Sequence, residues 1–263
     1  MAEFVYDGRR VHYREAGEGP LLLLIPGNTA SSAVHQGEMD YFAATHRVVA
    51  VDLPGTGASE RMTVWPDDWW EYGARCVGEL IEHLGAGPAV PLGTSGGAVV
   101  ALLAAQLAPD LVRGVVADSC VERQSPEMLE RVVAERRVAD DGLKAFWRAA
   151  HGEDWSQVIK ADSDAILRLA ARDGVWFTRD LSLVRSPVLL TGSLRDAMLH
   201  DGPAQMVSMA SRMSRSELYL ANDGDHPFLW SAADRFRTVA TSFLARLEEP
   251  DGEWARSAGP AGP

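Results

Sequence analysis

Apolar and polar positions change period several times along this chain, and each change predicts an element. Two short alternating runs, at 4–6 and 11–14, flank Asp7-Gly8, a pair that predicts a hairpin turn. Leu21–Ile25 is solidly apolar and closes on Pro26-Gly27. Arg47–Val51 is a second such run, closed by Asp52-Leu53-Pro54-Gly55. Runs without polar alternation read as strands covered on both faces, as in a parallel sheet. From Asp67-Asp68 the period lengthens. Trp69, Tyr72, Cys76, Leu80, Ile81 and Leu84 recur three or four apart and stop at Gly85, which predicts an amphipathic helix. Further strands are predicted at 89–92 and 112–117, with a helix apolar on nearly every side at 98–107 between them.

Residues 121–185 break this alternation. They contain helical spacings (Leu129, Val132 and Val133; Leu143, Phe146 and Trp147; Ile166, Leu167 and Leu169) separated by Asp, Gly and Ser, and no convincing strand. They predict an insertion of three or four short helices. Alternation resumes with a strand at 188–191, a helix at 204–213, a strand at 217–220 and a helix at 232–247. Residues 250–263 are polar and rich in Gly and Pro, which predicts disorder. Strands alternating with helices imply an α/β fold: a mostly parallel sheet of about eight strands, helices on both faces and right-handed crossovers. The expected division is a core of 1–120 and 186–249, a helical lid at 121–185 and a tail at 250–263.

Composition narrows the function classes. The 263 residues include 46% hydrophobic and 24% charged, ordinary for a globular chain. The net charge of −12 opposes a nucleic-acid or anionic-membrane partner, which demands a basic footprint. No apolar run approaches the ~18–20 residues of a membrane span, and the first ten residues lack a secretory pattern. Two cysteines, Cys76 and Cys120, fit a reducing compartment, so a cytoplasmic protein is expected. Homodimer formation is left open.

The candidate chemistry centres on Gly93-Thr94-Ser95-Gly96-Gly97, directly after a strand and before the buried helix. In that context G-x-S-x-G forms a nucleophile elbow: the serine sits on a sharp turn, and the flanking glycines admit neighbouring backbone. The following helix N-terminus offers free N–H groups to a developing oxyanion. An ordinary tight turn competes with this reading, whereas a P-loop lacks its Lys-[Ser/Thr]. A serine needs a base, and the base an acid to orient it. Asp196 follows the strand at 188–191 and His226 follows the strand at 217–220, both on the same sheet edge as Ser95. After the strand Leu21–Ile25, Asn28, with Thr29 as an alternative, is placed to aim a backbone N–H at the same oxyanion as the N–H of Gly96. No histidine pair has metal-ligand spacing, so neither a metal nor another cofactor is expected.

These motifs resemble the α/β-hydrolase superfamily, in particular its lid-bearing esterases, lactonases and C–C bond hydrolases. The resemblance covers roughly residues 4–248. It rests on Pro26-Gly27-Asn28, Asp52-Leu53-Pro54-Gly55-Thr56-Gly57-Ala58-Ser59, the serine elbow and the loops of Asp196 and His226. The chain order Ser, Asp, His is that of the superfamily. The Asp52–Ser59 turn is similar to one that relatives use structurally. Two features depart from the pattern: Pro26 stands where relatives have His before Gly, and Asp225 where they have Gly before His. Dehalogenase-like and epoxide-hydrolase-like relatives use Asp as nucleophile, so Ser95 argues against both activities. Some relatives place the acid where Asp118 stands, which makes it the alternative to Asp196.

The resemblance implies two-step acyl transfer on a small-molecule substrate. Aromatic residues of the insertion (Trp147, Trp155, Trp176 and Phe177), with Met198 and with His35 beyond the oxyanion loop, are the candidate pocket lining. They imply a small to medium apolar ester, thioester or lactone. Two other readings stay open: the same triad used for C–C hydrolysis or a cyclisation or lyase step, and a receptor-like ligand-binding protein.

Overall fold

The computed structural model describes residues 2–249. Among them one sheet of eight strands runs in the order β1-β2-β4-β3-β5-β6-β7-β8. The strands are β1 (Ala2–Tyr6), β2 (Arg9–Ala16), β3 (Leu21–Ile25), β4 (Arg47–Val51), β5 (Val90–Thr94), β6 (Val115–Asp118), β7 (Val188–Ser193) and β8 (Ser216–Ala221). β1 pairs antiparallel with β2, and β2 antiparallel with β4; every later pairing is parallel.

The solid apolar runs are divided between two cores by the period of two. Leu21, Leu23 and Ile25 pack with helices α2 (Trp69–Leu84) and α3 (Gly96–Leu107). Leu22 and Leu24 pack on the other face with α1 (Gln36–Phe42) and α9 (Ala233–Glu248). The helix α3 is pressed hard onto β3. A Cβ at Gly97 would lie 2.2 Å from the carbonyl oxygen of Ile25, so only glycine admits this approach.

Between β6 and β7 lie α4 (Pro126–Arg137), α5 (Asp141–His151) and α6 (Trp155–Ala170). The Ser125 and Asp140 side chains accept first-turn N–H groups at the starts of α4 and α5. An antiparallel bridge, Arg123↔Val175, pinches the two ends of the segment together. Arg61 fastens its other side: the guanidinium donates to Asp154 at 2.8 Å, to the His151 carbonyl at 2.6 Å and to the Gly57 carbonyl at 2.7 Å.

Differences from the sequence expectation are local. α1 was not foreseen, because seven residues carrying Gly37 and two well-spaced core apolars, Met39 and Phe42, hold little periodic signal. The four-residue α8 (Phe228–Ser231) is too short for any period. The strand expected at 112–117 is an isolated bridge at Val112 followed by β6. The helix α7 (Gly202–Arg212), β8 and α9 lie close to the segments expected for them. The tail at 250–263 lies outside the described residues. No helix of the described residues is long and apolar enough to cross a membrane.

At the carboxyl edge of the sheet a single carboxylate gathers four segments. Asp118, fully buried at the end of β6, accepts from Thr94 Oγ1 of β5 at 2.9 Å and Thr191 Oγ1 of β7 at 2.7 Å. It also accepts from the Leu229 N–H of α8 at 3.1 Å. Burial pushes its carboxyl up to about 6, against the opposing pull of these three donors and of His226.

Two outcomes are expected. Gly97→Ala forces backbone against backbone and costs at least about 3 kcal/mol in urea unfolding; an unchanged midpoint contradicts the close approach. The raised carboxyl of Asp118 means that the folded state holds a proton longer than the unfolded one. Its contribution is therefore favourable near pH 4 and is lost as pH rises through about 6. Asp118→Asn removes this dependence, so the unfolding free energy of the variant relative to the parent should rise by on the order of 3 kcal/mol between pH 4 and 7. Parallel pH profiles for the two proteins refute the assignment.

Candidate active site

Ser95 stands between the end of β5 and the start of α3 with φ 53° and ψ −123°. Positive φ is costly for a side chain with a Cβ, and here the surroundings impose it. The Ser95 N–H donates to the Asp118 carbonyl at 2.8 Å, tying the turn to β6. The hydroxyl makes no capping bond to α3 and is left for another partner.

That partner is His226. Its Nε2 lies 3.0 Å from Ser95 Oγ, and its Nδ1 lies 2.7 Å from Asp196 Oδ2. A carboxylate only accepts, so Nδ1 carries the proton and Nε2 faces the serine as acceptor. The other Asp196 oxygen accepts the Met198 N–H at 3.0 Å, which fixes the plane of the carboxylate. Asp196 and His226 side chains are 1% and 10% exposed, so water barely competes for the connection. The structure thus brings together Ser95, Asp196 and His226 from loops after β5, β7 and β8. Asp118, the alternative acid, is engaged by its two threonines and Leu229 and makes no hydrogen bond to the imidazole. Asp225 accepts the backbone N–H of His226 at 2.8 Å, so this departure from the superfamily pattern shapes the loop.

Asn28 lies beside the elbow. A Cβ on Gly96 would sit 2.0 Å from Asn28 Oδ1, which in turn accepts the Trp70 indole N–H at 3.2 Å. As first residue of α3, Gly96 has an N–H without an intrahelical acceptor. Thr29 adopts φ 61°, and its carbonyl accepts from His151 Nε2 at 3.0 Å. His151 Nδ1 accepts the Gly57 N–H at 3.0 Å, so the buried ring joins α5, this loop and the turn after β4. Burial holds its pKa below the usual histidine range, although the Thr29 carbonyl pulls the other way. Ser31 Oγ donates to the Ala150 carbonyl at 2.6 Å and adds a second tie to α5. No sequence signal marked His151 for this position.

A cavity of about 380 Å³ opens over Ser95. Asn28, Thr29, Gly96 and His226 form its polar floor; Trp147, Trp176 and Met198, all foreseen, contribute walls. Three expected lining residues do not reach it. Trp155 stacks on the far side of Trp147, with ring centroids 5.5 Å apart. Phe177 is buried in the main core under the helices. His35 lies behind Trp230, 4.9 Å from its ring, and its Nδ1 is 3.4 Å from Glu38. Burial opposes ionisation of Glu38, but the donors of His35 and Trp230 hold its carboxyl below the usual range. Trp230 itself lines the cavity and was missed, because its short helix has no pattern. Among the described residues no three His, Cys, Asp or Glu side chains are grouped to hold a metal.

Comparison with known proteins places these features. The chain is 35% identical over 107 residues to haloalkane dehalogenase 2 of Mycobacterium tuberculosis, covering 41% of this chain and 37% of that protein. It is 35% identical over 137 residues to 2-(acetamidomethylene)succinate hydrolase of Mesorhizobium japonicum, covering 50% of this chain and 48% of that protein. The matches thus span less than half of either relative. The fold is similar to that of a thermophilic esterase from Thermogutta terrifontis, with TM-score 0.72 at 22% identity, covering 94% of this chain and 97% of that one. A family model for the alpha/beta hydrolase fold matches residues 20–158, more than half of the chain, and the chain belongs to that family.

Proposed function

We propose that this protein is a serine hydrolase that cleaves a small to medium carboxylic ester, thioester or lactone through an acyl-enzyme on Ser95. The observation that carries the reading is the continuous connection from Asp196 through His226 to Ser95 Oγ, ending at the floor of a largely apolar cavity. His226 takes the Ser95 proton through Nε2 as Oγ attacks the carbonyl carbon. Asp196 holds the ring in the required tautomer and stabilises the imidazolium. The N–H groups of Asn28 and Gly96 receive the oxyanion, each such donor being worth ~10²–10³ in rate. His226 then protonates the leaving alcohol or thiol, and water repeats the sequence on the acyl-enzyme. The route requires no metal or organic cofactor.

Dehalogenation does not carry over from the M. tuberculosis relative. Displacing a halide with a serine hydroxyl would leave an alkyl ether, which water does not hydrolyse under these conditions. A carboxylate nucleophile would leave a hydrolysable ester. The three helices between β6 and β7 serve as the lid of the site. Cys76 and Cys120, both free and buried, fit a cytoplasmic setting.

The test is hydrolysis of p-nitrophenyl butyrate together with labelling by a fluorophosphonate. The parent should turn over the ester and gain one phosphonyl adduct on Ser95. Ser95→Ala should lose kcat/KM by ~10⁴ or more and take no label. Equal turnover by the variant overturns the reading. Ligand capture with neither turnover nor labelling would favour a receptor role instead.

A further inference from the structure

Two charged side chains of α4 line the cavity, Glu135 at its rim and Arg136 within the apolar face. Leu129, Val132 and Arg136 lie three and four residues apart, on one helix face, and all three line the cavity. At the third of these positions burial favours another aliphatic residue. The Arg136 side chain is only 11% exposed. Fastening α4 to α6 does not require it, since Leu129 and Val133 already share a core with Ile166 and Leu169. An apolar residue would join the helices without the desolvation cost of a guanidinium.

How Arg136 is held shows what it offers. Nη1 donates to Asp162 Oδ1 at 2.6 Å and to Ser163 Oγ at 3.2 Å, both on α6. The Asp162 side chain is 1% exposed, so this anchor is rigid. Nε and Nη2 bond to no group among the described residues, and neither is sealed away from solvent-accessible space. Those two nitrogens form one edge of the guanidinium, with parallel N–H groups spaced to meet both oxygens of a carboxylate. Glu135, its neighbour on the cavity rim, has a side chain 68% exposed and turned toward Arg131, 3.7 Å away. It does not occupy the fork.

We infer that Arg136 is a specificity residue that receives a free carboxylate of the substrate, so that the preferred substrate is a monoester of a dicarboxylic acid, or a lactone that carries a free carboxylate on its acyl side. This rests on the proposed hydrolysis at Ser95 and deepens it: the scissile carbonyl lies at the elbow and the anionic end under α4. Asp162 orients the fork from behind, and the apolar wall between the two ends takes the connecting methylenes.

The test compares mono-p-nitrophenyl glutarate with its neutral methyl ester on the parent protein. The free acid should be favoured by about tenfold or more in kcat/KM, mainly through KM. In Arg136→Met that preference should fall by about tenfold or more. The single replacement strands the Asp162 carboxylate, so Arg136→Met/Asp162→Asn is measured beside it, with both charges removed. Calorimetric titration with glutarate gives a readout independent of turnover: the parent should bind it, and the double variant about tenfold or more weaker. Active hydrolysis with no preference for the acid, or with a preference unchanged in the double variant, overturns the inference and leaves the hydrolase reading standing. Arg136-dependent glutarate binding without hydrolysis of either ester would overturn the hydrolase reading alone.

Discussion

The carboxylate of Asp118 sets the spacing on which the site depends. Three parallel strands end at different loops, and nothing in a β-ladder alone fixes where those loops point. Asp118 binds the last threonine of β5 and Thr191 of β7, and reaches across to the first turn of α8. The Ser119 hydroxyl beside it accepts the Phe228 N–H at 2.8 Å. The segment that carries His226 is therefore moored to the strand adjacent to Ser95. A hydroxyl-to-imidazole distance of 3.0 Å is the sum of these ties rather than an isolated contact. The three donors that converge on it offset part of the cost of burying this carboxylate, although burial still outweighs them.

The inserted helices share in that rigidity. His151 and Ser31 join the end of α5 to the loop carrying Asn28 and Thr29, while Arg61 holds the α5–α6 turn to the turn after β4. The loop proposed to receive the oxyanion is thus braced by the segment above it. The imidazole of His151 reaches this loop from the insertion through the Thr29 carbonyl.

Much of this was legible from residue order. Leu21–Ile25, Arg47–Val51 and the run after Pro187 announced doubly covered strands, because only a buried parallel sheet tolerates such runs. The elbow glycines and the loops after β7 and β8 pointed to Ser95, Asp196 and His226 through turn chemistry and sheet topology. Periodicity fails where an element is shorter than its own repeat, as with α1 and α8, and Trp230 was lost with the latter. Aromatic content foretold an apolar chamber but not which rings face it: Trp155 and Phe177 build the cores that support the insertion, and His35 backs a wall. Arg136 was invisible because its neighbours are charged, Glu135 and Arg137, and only the helix's orientation singles out one position in three. His151 was silent for a related reason, since its role depends on contacts with residues 94 and 122 positions away along the chain.

The insertion is anchored on several flanks: Gln124 joins its start to the loop after Asp196, donating to the Met198 carbonyl and accepting the His200 N–H, and Arg168 joins α6 to the Trp65 carbonyl. Arg61, His151 and Ser31 fasten the edge above the Asn28 loop. Among the apolar lining residues the most exposed are Leu143, at the start of α5, and Met198, beside Asp196, at 40% and 42%. The apolar wall of the chamber therefore meets water at these two side chains. A molecule longer than the chamber would leave its surplus length in water there rather than prise the roof from its moorings.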